Sequence, residues 1–358
     1  MLAKATITVD LAKIEANARA IVSAVPGVDI VGITKVTCGA PQVARAMLAG
    51  GVTALGESRL ENVARLREAG ITAPVWLIRA PTPGLADETV RLVDVSAISE
   101  VTIAEALDAA ASRARRRHGI LAMVDIGDLR EGMMPATLPA FLAAVSALEH
   151  LDVVGIGASL TCYGAIVPDE ANLGMLADLT AAAQKQLGRK LIISGGSSTS
   201  IAPVVDGRAP VAIDNLRIGE AIVLGVDPAT REPIPGIALH DDALTLSAPV
   251  IECFVKPSLP AGTAAQDAFG TVPAFEDRGE RRRAIVALGR QDAPPQSLRP
   301  VDPRVEVLGA SSDHLVLDVH DLPVAPKVGD AIEFVPGYSA VLGLFTSEYV
   351  DKVFVGGE

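Results

Sequence analysis

Short apolar runs alternate with amphipathic stretches along the first two thirds of the chain. Between about residues 10 and 238 the strand-like runs are Ile30–Val36, Val52–Leu55, Val75–Ile78, Val93–Ser96, Ile120–Asp125, Val153–Ala158, Leu191–Ser194 and Asn215–Ile218. Helical patterns such as PQVARAMLAGG, SRLENVARLREAG, SEVTIAEALDAAASRARRR and TLPAFLAAVSALEH lie between most of them. A periodicity that switches between two and 3.6 at this spacing reads as repeated βα units around a parallel sheet. Eight strand candidates in roughly 230 residues match the size of a (β/α)₈ TIM-type barrel. A doubly wound open sheet competes, but no GxGxxG follows an early strand.

The texture changes near Pro233-Ile234-Pro235-Gly236, and the chain beyond is strand-like and rich in turns: LTLSAPVIECFVK, RRAIVALG, RVEVLGASSDHLVLDVHD, DAIEFV. This predicts a barrel over residues 10–238, followed by a smaller, mainly β domain over 239–358. ATITVD at 5–10 precedes the first helix and supplies the second domain with a strand from residues 1–9. QDAPPQSLRPVDP, residues 291–303, reads as a mobile segment of that domain.

The 358 residues suffice for one large domain or two, with 49% hydrophobic and 21% charged side chains. Aromatics are only 3%, so alanine, valine and leucine fill the interior. A net charge of −12 argues against nucleic acid or an anionic membrane as partner. RARRR at 113–117 ends a predicted helix, where cations suit the dipole, and reads as a solvated helix end. No apolar run reaches about 18 residues, and the first twenty lack a signal-peptide core. Cys38, Cys162 and Cys253 form no close-spaced metal pair, and their odd number argues against a disulfide framework. A cytoplasmic protein is expected.

In a barrel of this kind the chemistry sits at the carboxyl ends of the strands. The first ends in ITKVTCGAP, which places Lys35 where the apolar run stops. The fifth offers Asp125, Arg130 and Glu131 in VDIGDLREGM, and the sixth offers Ser159, Cys162 and Tyr163 in ASLTCYG. The seventh runs into SGGSSTS and the eighth into NLRIGEAIVLG. A glycine-serine loop followed by a second strand-end loop, after strands seven and eight, is suited to a phosphate. One lysine amine and one phosphate cradle at the same mouth point to pyridoxal phosphate. The plainer alternatives are a solvated Lys35, Arg217 paired with Glu220 or Asp214, and Arg130 salt-bridged to Asp128 or Glu131. Cys38 reads as a small apolar filler, and Glu57 and Asn62 in GESRLEN read as a locally capped helix entry.

In the order ITKVTCG, GESRLEN, VDIGDLREGM, NLRIGEAIVLG and GASSDHLVLDV, these motifs resemble the alanine-racemase-like family of fold-type III pyridoxal-phosphate enzymes. The likeness covers essentially the whole chain and is greatest to the ornithine/alanine racemase-like branch. It implies that Lys35 holds the cofactor as a Schiff base and serves as one of two bases at the amino-acid Cα. Arg217 would meet the pyridine nitrogen and leave it unprotonated. Gly219 and Glu220 would give backbone N–H groups to the phosphate, helped by Ser197, Ser198 or Thr199. Arg130 matches an arginine at the phenolic oxygen or substrate carboxylate, and Tyr338 a tyrosine that reaches the phosphate. Asp313 falls where the family has a Met-Asp pair at the substrate.

Two positions depart from the pattern. Phe269, in QDAFG, stands where alanine racemases carry a catalytic tyrosine supplied across a dimer interface. The histidine that stacks on the pyridine ring is replaced near Ser159-Leu160. A second acid/base is therefore sought among His314, Asp313, Asp292 and Cys162, with His314, beside an aspartate, preferred and Cys162 next. The expected activity is two-base racemization of a free amino acid, such as ornithine, lysine or another basic one, in a homodimer whose partner β domain completes the site. The alternatives are a D-amino-acid aldolase or dehydratase on the same scaffold, for which no metal-ligand set is visible, or a non-catalytic pyridoxal-phosphate-binding protein.

Overall fold

The structure, a computed structural model, describes residues 4–209 and 213–357. Strand β1 (Thr6–Asp10) is followed by helix α1 (Leu11–Ala24), and from there strands and helices alternate. The strands β2 (Asp29–Ile33), β3 (Ala54–Glu57), β4 (Val75–Leu77), β5 (Val95–Ile98), β6 (His118–Met123), β7 (Leu151–Gly157), β8 (Ile192–Ser194) and β9 (Asn215–Ile218) pair in parallel in chain order. β9 returns to β2 with Val31 opposite Arg217, which closes the barrel. The intervening helices are α2 (Pro41–Ala49), α3 (Leu60–Glu68), α4 (Ala86–Leu92), α5 (Val101–Arg113), α6 (Leu138–Val145), α7 (Glu170–Leu187), α8 (Ile201–Val205) and α9 (Glu220–Leu224). Alternate strand positions face opposite ways. Val31 and Ile33 pack with Ala54, Trp76 and Ile78, whereas a side chain at Gly32 would meet Met47 of α2.

The remaining strands form a mostly antiparallel sheet: β10 (Leu244–Pro257), β11 (Glu280–Val286), β12 (Leu298–Pro300), β13 (Glu306–Ala310), β14 (Leu315–Asp318), β15 (Ala331–Pro336) and β16 (Asp351–Val355), with helix α10 (Tyr338–Thr346) before the last. β1 lies antiparallel to β10 and parallel to β16. Two compact units result: Leu11–Asp241 with residues 356–357, and residues 4–10 with Asp242–Val355.

All eight expected barrel strands form, displaced by up to three residues at their ends. The largest consequence is at β2, which stops at Ile33 instead of running on to Val36. The expected N-terminal strand is β1, and residues 1–3 lie outside the described ones. The segment 291–303, expected to be mobile, is built into the β unit. Asp292, Ala293 and Leu298 are buried, and Leu298–Pro300 pairs with β15. The basic run 113–117 is ion-paired as well as solvated: Arg113 with Asp87, Arg116 with Asp94 and Arg117 with Asp152. Among the described residues no helix is long and apolar enough to cross a membrane.

Candidate active site

At Thr34 (φ −95°, ψ 1°) the backbone leaves β2 and enters a 3₁₀ turn, Lys35–Thr37. The Thr34 carbonyl accepts from the N–H groups of Thr37 (3.1 Å) and Gly39 (3.2 Å), and from the Thr37 hydroxyl (3.0 Å). Cys38 and Gly39 then turn through left-handed conformations at φ 51° and 63°. A Cβ on Gly39 would come within 2.8 Å of Asn62 Cβ, so glycine is the residue that lets this turn lie against α3. Lys35 is half-buried at the carboxyl end of its strand. Cys38 is not a buried filler: it is half-exposed and caps the turn in a left-handed conformation.

Glu57, at the end of β3, is fully buried. One carboxylate oxygen accepts from the Thr34 hydroxyl (2.7 Å), the other from the Asn62 amide (3.0 Å) and the Ser58 N–H (3.1 Å). Burial pushes its carboxyl above the usual range, against the hydrogen bonds and the nearby Lys35 charge. The expected capping role is therefore wrong. α3 starts from Arg59 without a side-chain cap, and Glu57 and Asn62 bond inward to the lysine turn.

Arg217, on β9, is 6% exposed. Its guanidinium donates to the Ser194 hydroxyl, the Ala158 carbonyl and, at 3.3 Å, the Ser159 hydroxyl. It pairs with neither Glu220 nor Asp214. Burial brings it down to about 10, with Arg130 adding to the effect and Glu131 and Cys162 opposing it. Those three residues lie on the loops that follow β6 and β7, at the carboxyl end of the barrel. Arg130 does form the salt bridge anticipated with Glu131 (Nη2 to Oε1, 2.6 Å). Although burial works the other way, Arg130 holds the Glu131 carboxyl below its usual range.

The β7 loop is anchored by Asp128, which the sequence suggests only as a salt-bridge partner of Arg130. The Asp128 carboxylate, 1% exposed, accepts the N–H groups of Cys162 (3.3 Å), Tyr163 (2.9 Å) and Gly164 (3.1 Å). It holds a loop that carries left-handed Thr161 and Ala165, and Cys162 and Tyr163 stay exposed. After β8, Ser197–Ser200 wraps into a short turn. There the Ser198 hydroxyl accepts from Ala221 N–H (3.1 Å), and Thr199 meets Ser197 (3.4 Å) and Thr161 (3.2 Å). Gly219 precedes α9, and Glu220 is ion-paired to Arg231 while sensing the Lys35 charge.

A family model for the alanine racemase N-terminal domain matches residues 9–227. The ornithine racemase of Acetoanaerobium sticklandii is 38% identical over 97% of this chain and 98% of its own length. The lysine racemase of Thermotoga maritima is 40% identical over the same shares. The chain belongs to the alanine racemase family. It is an amino-acid racemase, and hence an isomerase. The alanine racemase structure from Streptomyces lavendulae shares this family's fold (TM-score 0.76, 22% identity, 100% of this chain and 98% of that one).

In this alanine racemase family member, Lys35, Arg130, Cys162, Ser197, Ser198, Thr199, Arg217, Gly219 and Glu220 all belong to the barrel unit. Asp313, His314 and Tyr338 belong to the β unit. Asp313 and His314 are exposed on the turn between β13 and β14, and Tyr338 opens α10, half-buried. Asp292 is committed elsewhere: its buried carboxylate takes the Ser347 hydroxyl (2.7 Å) and Gly289 N–H. Phe269 is 46% exposed, with the Arg290 guanidinium 4.4 Å from its ring centre. Among the described residues no three His, Cys, Asp or Glu side chains gather as metal ligands.

Proposed function

We propose that this racemase interconverts the enantiomers of a free basic amino acid, ornithine or lysine, with pyridoxal phosphate bound at Lys35. The substrate class rests on the two relatives named for those amino acids, each matched over nearly its full length. The cofactor reading rests chiefly on one observation. A buried arginine, Arg217, stands on the strand paired to the one that leads into Lys35, its guanidinium held by Ser194, Ala158 and Ser159 where strands β7 and β8 end.

The donor set fits the group. Lys35 supplies an amine, Ser197 and Thr199 supply hydroxyls, and Gly219 and Glu220 stand at a helix start, where N–H groups lack intrahelical acceptors. When bound, pyridoxal phosphate supplies an electron sink that makes the substrate Cα proton removable. Lys35 would hold the cofactor through Nζ and move a proton on one face of Cα. A guanidinium only donates, so Arg217 would keep the ring nitrogen as an acceptor and temper the sink. Arg130 and Glu131, locked together at the mouth, would orient the bound molecule.

For the opposite face the barrel unit offers Cys162, whose thiol is exposed on the loop that Asp128 pins. A thiol at a strand end of the barrel is a group that can hold and return a proton. We assign it the second acid/base role in preference to His314 and Asp313. Working as a homodimer, as the family resemblance implies, agrees with the exposed Phe254, Val255, Phe269, Val272 and Phe275 of the β unit.

The test is incubation with single L- and D-amino acids in deuterated water. Ornithine or lysine should gain deuterium at Cα and lose optical activity, with kcat/KM at least about tenfold above alanine. Cys162→Ala should exchange only one enantiomer and invert neither. Absence of exchange with both basic amino acids rules the substrate reading out, and unimpaired inversion by Cys162→Ala rules out its assigned role.

A further inference from the structure

The Lys35 turn is bracketed by one hydrogen-bonded chain that none of the roles above uses. On its upstream side Glu57 takes the Thr34 hydroxyl at 2.7 Å, while the Thr34 N–H donates to the Gly56 carbonyl at 3.1 Å. Asn62 links the other carboxylate oxygen to Arg65, its own amide oxygen accepting from that guanidinium at 3.2 Å. The same Arg65 nitrogen donates to the carbonyl of Cys38, on the downstream side of the turn. Residues 34 and 38 are thus both tied to the start of α3, and Lys35 lies between the ties. Thr34 and Glu57 have no solvent-accessible surface, so water cannot replace either partner.

We propose that Glu57 is a positioning residue for Lys35, holding through Thr34 on one side and Asn62–Arg65–Cys38 on the other the turn that carries the lysine. The inference rests on the assignment of Lys35 above. The carboxylate suits this task because it offers acceptors on two sides at once, and all three of its partners are donors. A lysine side chain has four rotatable bonds. Fixing its Cα is how the protein restricts where the amine can reach, and small displacements of a reacting group cost rate steeply. Glu57 touches no substrate, so its removal should lower kcat and leave KM nearly unchanged.

Three variants of the full-length holoenzyme test this. Glu57→Gln can turn its amide so that the oxygen keeps Ser58 and Asn62 while the nitrogen donates to Thr34 Oγ1, which preserves the grip without the charge. Glu57→Ala removes the grip, and Thr34→Val severs one arm without altering Glu57. Expected are losses in kcat of about a hundredfold for Glu57→Ala and about tenfold for Thr34→Val, with KM within about threefold and Glu57→Gln close to wild type. Independently of turnover, hydrogen exchange of the amides at 36–39 should accelerate in Glu57→Ala and Thr34→Val while that of β6 and β7 stays unchanged. Should Glu57→Ala fail to fold, Thr34→Val carries the test. Unchanged kcat and exchange in Thr34→Val, or a Glu57→Gln loss as large as that of alanine, overturns the inference. Lys35→Ala is the control for the underlying assignment: an active Lys35→Ala enzyme would remove Lys35 itself. An inactive one beside a normal Thr34→Val would remove only the role of Glu57.

Discussion

His118 opens β6 with its side chain fully buried, Nε2 2.9 Å from the Ser96 hydroxyl and Nδ1 without a partner among the described residues. Burial, and then the charge of Arg116, bring its pKa down to about 4, against a smaller pull from Asp94. The folded chain therefore keeps this imidazole neutral where the unfolded chain takes up a proton. No stability is lost above the ordinary value of 6.5, and loss grows as pH falls from there toward 4. By pH 5 it amounts to about 2 kcal/mol. Urea unfolding at pH 7 and pH 5 checks this: His118→Gln should narrow the difference between the two by about that amount. Single residues of this kind were the least legible in the sequence. Lys35 could be found because it stands where an apolar run ends, and Arg217 through the resemblance that the order of motifs carries. Glu57 and Asp128 could not, since their meaning lies in donors from other segments that only the fold brings to them.

At the scale of elements, the eight apolar runs were sufficient to place the barrel strands, because parallel strands covered on both faces must be apolar throughout. Their ends were not, because hydrogen-bond register decides them. β2 stops early because Thr34 turns at ψ 1° and its carbonyl accepts from Thr37 and Gly39 within the turn instead of from a neighbouring strand. The β7 loop shows the same dependence on a distant acceptor. Without Asp128, the N–H groups of Cys162, Tyr163 and Gly164 would lose their acceptor, and the Thr161 hydroxyl would remain as a tie, to Ile166 and Thr199. Asp128→Ala should accelerate amide exchange at 161–166 and reduce kcat by about tenfold, with Asp128→Asn in between. Unaltered exchange would mean that the loop needs no such anchor. The segment 291–303 misled for a related reason: its prolines suggest a loop, yet they sit where β12 can still pair with β15 through Arg299.

Over the whole molecule, the order of motifs and the change of texture near residue 236 made the fold class legible, whereas association with another chain leaves only a faint trace. The proposed homodimer rests there on the exposed apolar group between Phe254 and Phe275. Charging it, as in Phe269→Asp combined with Phe275→Asp, should shift sedimentation from dimer to monomer and abolish turnover while the far-ultraviolet circular dichroism is retained. A monomeric wild type would end the homodimer reading. The sheet of the β unit also imposes an order of events during synthesis. β1 lies between β10 and β16, with Thr6 opposite both Ser247 and Asp351. The barrel can close once β9 has been translated, but β1 must wait on the order of ten seconds longer for its second neighbour. A nascent chain stalled shortly before residue 351 should thus display a finished barrel and an unpaired strand edge, the species most exposed to chaperones.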